Sequence, residues 1–130
     1  MNEKYLIAED GVKTYVKDGK VEGYELKARV PYYFGVPFSQ IKFIRVTMDG
    51  VEEAQENIRI FASSGEEFKM SEIVSVSSYH WGYGEKLRIC VLKNGGLAKG
   101  SHRLELDVGI AVIYGGPKGF TSHAYLNFVV

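Results

Sequence analysis

The fold is decided by a stretch in the first quarter of the chain, which reads Tyr24-Glu25-Leu26-Lys27-Ala28-Arg29-Val30. Apolar and charged residues alternate along it, so that the apolar side chains share one face and the charged side chains share the other. Successive side chains of a β-strand point to opposite faces, and this period of two indicates a half-buried strand. We predict a strand over 22–33 that turns its charged face to water.

Similar alternation and short turn signals recur along the rest of the chain. Further strands are predicted at 12–16, 41–48, 58–62, 86–92, 103–114 and 123–130. Asp18-Gly19 and Asp49-Gly50 predict tight hairpins, because both residues of such a turn adopt positive φ angles. The clearest pair of strands is 86–92 with 103–114. One helical turn fits 54–57, and 68–76 is ambiguous.

The composition also favours strands over helices. The chain has 15 glycines together with many β-branched and aromatic residues, and its turn signals are closely spaced. A chain of 130 residues fits one domain and can bury roughly two-thirds of the surface that its unfolded form exposes. We therefore predict an all-β protein: one antiparallel, jelly-roll-like β-sandwich domain over residues 1–130, with about eight to ten strands.

Charge and hydropathy argue against several classes of partner. Sixteen basic residues balance 16 acidic ones, so no electrostatic footprint for nucleic acid or an anionic membrane is present. No apolar stretch approaches the roughly 20 residues that cross a bilayer. The polar start Met1-Asn2-Glu3-Lys4 lacks the apolar core of a signal peptide, and we expect a cytoplasmic protein. The single cysteine, Cys90, lies in an apolar run and is interpreted as a buried structural thiol.

Catalytic patterns are weak. The three histidines, His80, His102 and His123, match no local metal motif, although they could converge across a sandwich. The carboxylate pairs Glu52-Glu53 and Glu66-Glu67 could suggest a glycosidase, but neighbouring strand residues point to opposite faces, and solvated turn charges are the preferred interpretation. The chain contains no Gly-x-Ser-x-Gly elbow, phosphate loop or Cys-x-x-Cys motif.

Aromatic side chains are concentrated in two predicted loops. The candidate contact residues are Tyr32, Tyr33, Phe34 and Phe38 in the first loop and His80, Trp81 and Tyr83 in the second. Tyr and Trp often anchor interfaces, and neighbouring glycines allow another surface to approach closely. The same rings could instead stack on a sugar or plug the open ends of the sandwich. We favour an interface for the set.

The order of these motifs resembles the β subunit of bacterial C-glycoside deglycosidases, a family of short chains about this long. The segments that carry the resemblance are 32–39, 44–50, 56–60, 81–85, 95–102 and Ile113-Tyr114. Their order and spacing over most of the chain make the match more specific than any one segment. One departure is the turn after Tyr114, where Gly115-Gly116 precede Pro117, whereas the family usually places a proline there almost at once.

The resemblance implies a heteromeric enzyme whose larger α subunit is similar to a sugar isomerase barrel. That subunit would hold a divalent metal, expected to be Mn²⁺, and a general base. Family enzymes act on C-glycosides such as flavonoid C-glucosides after a separate oxidoreductase has made a 3-oxo sugar. The ketone acidifies the C2 proton, and a metal that binds the oxo and hydroxyl oxygens stabilises the enolate. The aglycone then leaves from C1 by elimination, which is a lyase reaction.

By the same resemblance, this chain is the small non-catalytic subunit, inactive alone and without a metal of its own. Its aromatic residues are expected to contact the partner or the substrate pocket, with the 3-oxo-C-glycoside at or near the interface. The main alternative is a stand-alone carbohydrate-binding β-sandwich module, which would bind sugar without a partner. A second alternative is a small independent enzyme that uses converged histidines, which would require bound metal and activity in the purified chain.

Overall fold

A computed structural model describes residues 2–30, 35–111 and 119–130. The strands are β1 (Lys13–Lys17), β2 (Lys20–Arg29), β3 (Val36–Pro37), β4 (Ile41–Met48), β5 (Val51–Glu52), β6 (Ile58–Phe61), β7 (Glu67–Lys69), β8 (His80–Trp81), β9 (Lys86–Leu92), β10 (Ser101–Ile110) and β11 (Phe120–Val129). Short 3₁₀ turns lie at Phe38–Gln40, Gln55–Asn57 and Ile73–Ser75. No helix in these ranges has the length and apolar character needed to cross a membrane.

The strands form two main sheets and a small ribbon. The first sheet has the order β1-β2-β9-β6-β7, the second has the order β11-β10-β4-β5, and β3 pairs with β8 in the ribbon. The pairings within the sheets are antiparallel. Buried residues from both main sheets belong to one hydrophobic cluster. The predicted antiparallel β-sandwich is therefore confirmed.

The alternation in the sequence matches the two faces of the strands. Tyr24, Leu26 and Ala28 of β2 are each at most 1% exposed, whereas the charged residues between them are only partly covered. In β10, the buried set is Leu104, Leu106, Val108 and Ile110. Each apolar face is removed from water by the opposite sheet, and this burial is the main favourable contribution to folding.

Both predicted Asp-Gly hairpins are present. Asp18 and Gly19 have φ angles of 53° and 76° and join β1 to β2, while Asp49 and Gly50, at 52° and 83°, join β4 to β5. Two consecutive positive φ angles are the signature of a type I′ turn, whose twist matches that of the flanking strands.

One predicted pairing is wrong. Strands β9 and β10 do not pair with each other: β9 lies between β2 and β6 in the first sheet, and β10 lies between β4 and β11 in the second. The connection 93–100 therefore crosses from one sheet to the other. Each strand alternates because it covers the same core from its own side, and a pattern of alternation does not specify which strand lies alongside.

Several boundaries also differ from prediction. β2 ends at Arg29, β10 runs from Ser101 to Ile110, and β11 begins at Phe120, earlier than predicted. The ambiguous stretch 68–76 contains the end of β7 and a 3₁₀ turn, and the predicted helical turn at 54–57 is confirmed as 3₁₀. The predicted extensions of β2 to residue 33 and of β10 to residue 114, and the turn Gly115-Gly116-Pro117, lie outside the described residues.

Residues 2–11 form an N-terminal strap that sequence reasoning missed. At its start, the Glu3 amide donates to the His123 carbonyl on the edge of β11, at 2.9 Å. Further along, the Arg29 amide of β2 donates to the Leu6 carbonyl, also at 2.9 Å. Leu6, Ile7 and Ala8 are buried in consequence. The strap thus links an edge of the second sheet to the first sheet.

A buried tyrosine also joins the two sheets. The Tyr24 hydroxyl on β2 donates to Glu53 Oε2, just after β5, at 2.5 Å. Burial and the adjacent carboxylate raise the pKa of Tyr24, so the phenol stays a proton donor. This bond satisfies the polar end of a side chain that is 1% exposed.

A histidine clasp holds the β4–β5 hairpin against β10. His102 Nδ1 lies 2.7 Å from Asp49 Oδ2, and its Nε2 lies 2.6 Å from the Ala98 carbonyl. The Arg103 amide donates to the other oxygen of Asp49, at 2.8 Å, and the His102 ring stacks on Phe128. Both ring nitrogens face acceptors, so the clasp favours the doubly protonated imidazolium.

Replacing Tyr24 with phenylalanine should lower the free energy of unfolding by about 1–2 kcal/mol, because the buried link to Glu53 is lost. Urea denaturation measures this change. Tyr83→Phe is the matched control, since that side chain is 74% exposed and should leave stability unchanged. Equal stability of the two variants would contradict a structural role for the Tyr24 hydroxyl.

The clasp predicts a pH dependence of stability. Asp49 and the Ala98 carbonyl raise the pKa of His102, so its contribution is complete below the ordinary histidine pKa of about 6.5 and is lost as pH rises through the raised value. His102 and the Arg103 amide lower the pKa of Asp49, so that contribution is complete above the ordinary aspartate pKa of about 3.9 and is lost on acidification.

The stability difference between the wild type and His102→Gln should therefore be largest between about pH 4 and 6.5 and should shrink at alkaline pH. Urea denaturation across this pH range measures it. His80→Gln is the control because His80 is exposed. A difference that does not vary with pH would show that the charge of His102 does not contribute.

Candidate functional site

The second aromatic loop is built on the two-stranded ribbon. Val36 of β3 pairs with Trp81 of β8, and Pro37 pairs with His80. Gly35 lies against this ribbon so closely that a Cβ atom there would be 2.7 Å from the Trp81 carbonyl oxygen. The glycine beside these rings therefore allows close packing within the chain itself.

The ribbon continues into a tight turn, Gly82-Tyr83-Gly84-Glu85. Three hydrogen bonds hold it: the Glu85 amide donates to the Gly82 carbonyl at 3.0 Å, the Gly82 amide donates to the Glu85 carboxylate at 3.0 Å, and the Trp81 indole N–H donates to the Glu85 carbonyl at 3.1 Å. Gly84 has a φ angle of 80°, which suits the third position of a type II turn. We call this segment the tyrosine turn.

The tyrosine turn presents Tyr83 to solvent. Its side chain is 74% exposed at the second position of the turn, while Trp81 beneath is fully buried. A large ring on a backbone that is already ordered loses little conformational entropy when it is covered by another molecule. Tyr83 therefore has the geometry of an interface anchor.

Phe38 and Trp81 need correction as predicted surface contacts. They are 1% and 0% exposed, respectively. The Phe38 ring packs 5.8 Å from the centroid of Phe68 and 6.1 Å from that of Tyr79. Both rings belong to the buried hydrophobic cluster, and any effect they have on a partner acts through the loops they support.

The other predicted contact residues have different positions. His80 is exposed, next to the tyrosine turn in the sequence. Tyr32, Tyr33 and Phe34 lie outside the described residues, so their predicted contacts stay predictions.

A second exposed tyrosine, Tyr5, was missed in the sequence because it follows a short polar segment with no alternating pattern. It lies in the N-terminal strap and is 85% exposed. Tyr5 and Tyr83 line the same surface concavity, of about 740 Å³, together with Leu6 and Val30. The fold therefore brings two exposed tyrosines that are far apart in the sequence to one concavity.

His102 and His123 have separate hydrogen-bond partners. His102 is held in the clasp described above, and His123 Nδ1 lies 2.7 Å from Asp107 Oδ1 on the neighbouring strand. Across residues 2–30, 35–111 and 119–130, no group of three or more His, Cys, Asp or Glu side chains could hold a metal ion.

The predicted carboxylate pairs have structural contacts. Glu53 accepts the Tyr24 hydroxyl bond, Glu66 accepts a bond from Ser64, and Glu67 lies 3.4 Å from Arg59 Nε in an ion pair. Cys90 is completely buried, as predicted, and this burial raises the pKa of its thiol to about 12. A thiol so protected from ionisation is a poor nucleophile.

Comparisons with known proteins agree with the order of motifs in the sequence. A family model described as "C-glycoside deglycosidase beta subunit" matches residues 2–114. A curated protein from Eubacterium cellulosolvens, named C-glycoside deglycosidase beta subunit, is 31% identical over 104 residues, which cover 79% of this chain and 70% of that protein. The match to the family model includes both the N-terminal strap and the tyrosine turn. The chain belongs to the C-glycoside deglycosidase beta subunit family.

Proposed function

We propose that this chain is the non-catalytic subunit of a heteromeric C-glycoside deglycosidase and that it acts by docking onto a larger catalytic subunit. The observation that carries the proposal is the tyrosine turn, in which three hydrogen bonds hold an exposed Tyr83 above a buried Trp81. This arrangement suits recognition, because the backbone that carries the exposed ring is ordered before any partner arrives.

The polar side chains of this chain also support the proposal that catalysis takes place on the larger subunit. The hydrogen bonds of His102, His123 and Glu53 stabilise a hairpin, a pair of neighbouring strands and the contact between the two main sheets, respectively. The description of the family as a beta subunit implies that a partner subunit exists. We assign the general base and the divalent metal, expected to be Mn²⁺, to that partner, an isomerase-like barrel.

The substrate class follows from the family rather than from a pocket in this chain. We propose a 3-oxo-C-glycoside, such as a 3-oxo flavonoid C-glucoside, whose aglycone is released in a lyase reaction. The contribution of this chain is to cover the mouth of the partner's active site and to exclude water from it. Tyr83 and the neighbouring His80 are the described residues proposed to contact the partner there.

The direct test is co-purification followed by an activity assay. A tagged form of this chain should capture a co-expressed, isomerase-like larger subunit, and the complex should release aglycone from a 3-oxo-C-glucoside in the presence of Mn²⁺. The separate chain should release none, because we assign the metal and the general base to the larger subunit. Product is measured by chromatography of the free aglycone.

Two outcomes would count against the proposal. Aglycone release by the purified chain alone would make it an independent enzyme. Failure to capture the partner, together with sugar binding by the chain alone, would favour the stand-alone carbohydrate-binding module.

A matched pair of glycine variants tests the tyrosine turn. Gly84 and Gly95 have φ angles of 80° and 79°, and a Cβ atom on either would meet no atom within 4 Å. Alanine at either position should therefore lower the free energy of unfolding by a similar amount, about 1–2 kcal/mol, through backbone strain alone. Only Gly84→Ala should also weaken association with the larger subunit, because it alone distorts the turn that carries Tyr83.

Denaturation and titration calorimetry measure the two effects. Equal affinities of the two glycine variants for the larger subunit would argue that the tyrosine turn is not part of the interface.

A further inference from the structure

The structure points to the concavity between Tyr5 and Tyr83 as the seat of an uncharged, apolar protrusion of the larger subunit. This inference rests on the proposed function, since it requires that such a partner exists. It adds the N-terminal strap to the docking surface, a segment in which sequence reasoning placed no contact residue.

Two of the residues that line the concavity are tyrosines at the tips of hydrogen-bonded turns. The Leu6 amide donates to the Glu3 carbonyl at 3.0 Å, and this bond closes a turn that contains Tyr5. The tyrosine turn is closed in the same way around Tyr83. Two large, highly exposed rings on turns that are already closed have the geometry of paired anchors, because little order remains to be gained on binding.

Buried side chains and hydrogen bonds fix the N-terminal strap to the rest of the fold. Its Leu6 and Ala8 side chains are 3% and 2% exposed, and Arg29 donates from its side chain to the Tyr5 carbonyl at 3.4 Å. The Tyr125 amide of β11 also donates to the Asn2 side chain, at 2.9 Å. Tyr5 is therefore presented by a segment that is tied to both main sheets.

Charge indicates the chemistry of the occupant. Arg29 lines the concavity but is paired with Glu9 at 2.5 Å, and Glu9 also pairs with Lys86 at 3.0 Å. The hydrogen bond from Arg29 is the largest of the contacts that lower the pKa of Glu9 to about 2, so the pair stays charged at neutral pH. The other charged residues of the lining, Glu3 and Lys4, have opposite signs. The charges that line the concavity therefore favour an uncharged surface on the partner.

The shape favours a protein segment over a small ligand. Ligand pockets bury most of the surface of the molecule they bind, whereas the side chains of Tyr5 and Tyr83 are themselves 85% and 74% exposed. Strand addition is also disfavoured at the nearest sheet edge, because Asn2 and Glu3 already bond to the β11 backbone. Side-chain docking into the concavity remains the mode that fits.

The experiment measures the affinity of the full chain for the purified larger subunit by titration calorimetry. Tyr5→Ala and Tyr83→Ala should each weaken binding about tenfold or more, and the double variant should weaken it further. The phenylalanine variants at both positions should bind like the wild type. Val74→Ala is the matched control, since Val74 is 73% exposed and does not line the concavity.

The outcomes separate the two proposals. If the wild-type chain binds the larger subunit and the double alanine variant binds it equally well, the concavity is not the docking site. The proposed function is then unaffected. No binding by the wild type overturns the proposed function and this inference together. Loss of affinity together with a lowered thermal midpoint also contradicts the inference, since both rings are exposed and should not support the fold. Self-association through the concavity, or binding of a free C-glycoside there, overturns the identity of the occupant.

Discussion

The burial of two alternating faces against each other is the constraint on which the rest of the structure depends. β2 and β9 from one sheet and β4 and β10 from the other supply side chains that are almost completely hidden from water. Burying an unpartnered polar group in a closely packed apolar core is costly, and among the described residues no buried side-chain nitrogen or oxygen lacks a hydrogen-bond partner. The Tyr24 bond to Glu53 shows how one such group is satisfied. The loops can then vary in shape without disturbing the frame.

The candidate site uses that frame as an anchor. Trp81 is fully buried, and its indole N–H reaches the last residue of the tyrosine turn, so core packing also sets the position of the exposed Tyr83. The N-terminal strap is fixed in the same way, because its Leu6 and Ala8 side chains are buried while Tyr5 is exposed. Aromatic side chains in this protein therefore have two distinct roles. The buried Trp81 supports the turn, whereas Tyr5 and Tyr83 are exposed and available for contact.

The sequence predicts those features that depend on local periodicity or turn chemistry. The alternation around Leu26 indicates the buried face of β2, and the Asp-Gly pairs predict both type I′ hairpins. Pairing between distant strands is not encoded in a local pattern, which explains why β9 and β10 were wrongly paired. Burial of loop aromatics such as Phe38 likewise depends on tertiary contacts, and the role of the strap depends on hydrogen bonds to strands far away in sequence.

The central claim is that this subunit docks through the tyrosine turn and the N-terminal strap while a larger partner performs the chemistry. Hydrogen–deuterium exchange of the chain, free and in complex, tests it most directly because it reports which backbone amides become protected without any substitution. The account predicts added protection at residues 4–6 and 82–85 on complex formation. Protection confined to other surfaces, such as the β1 and β7 edges of the first sheet, would contradict it.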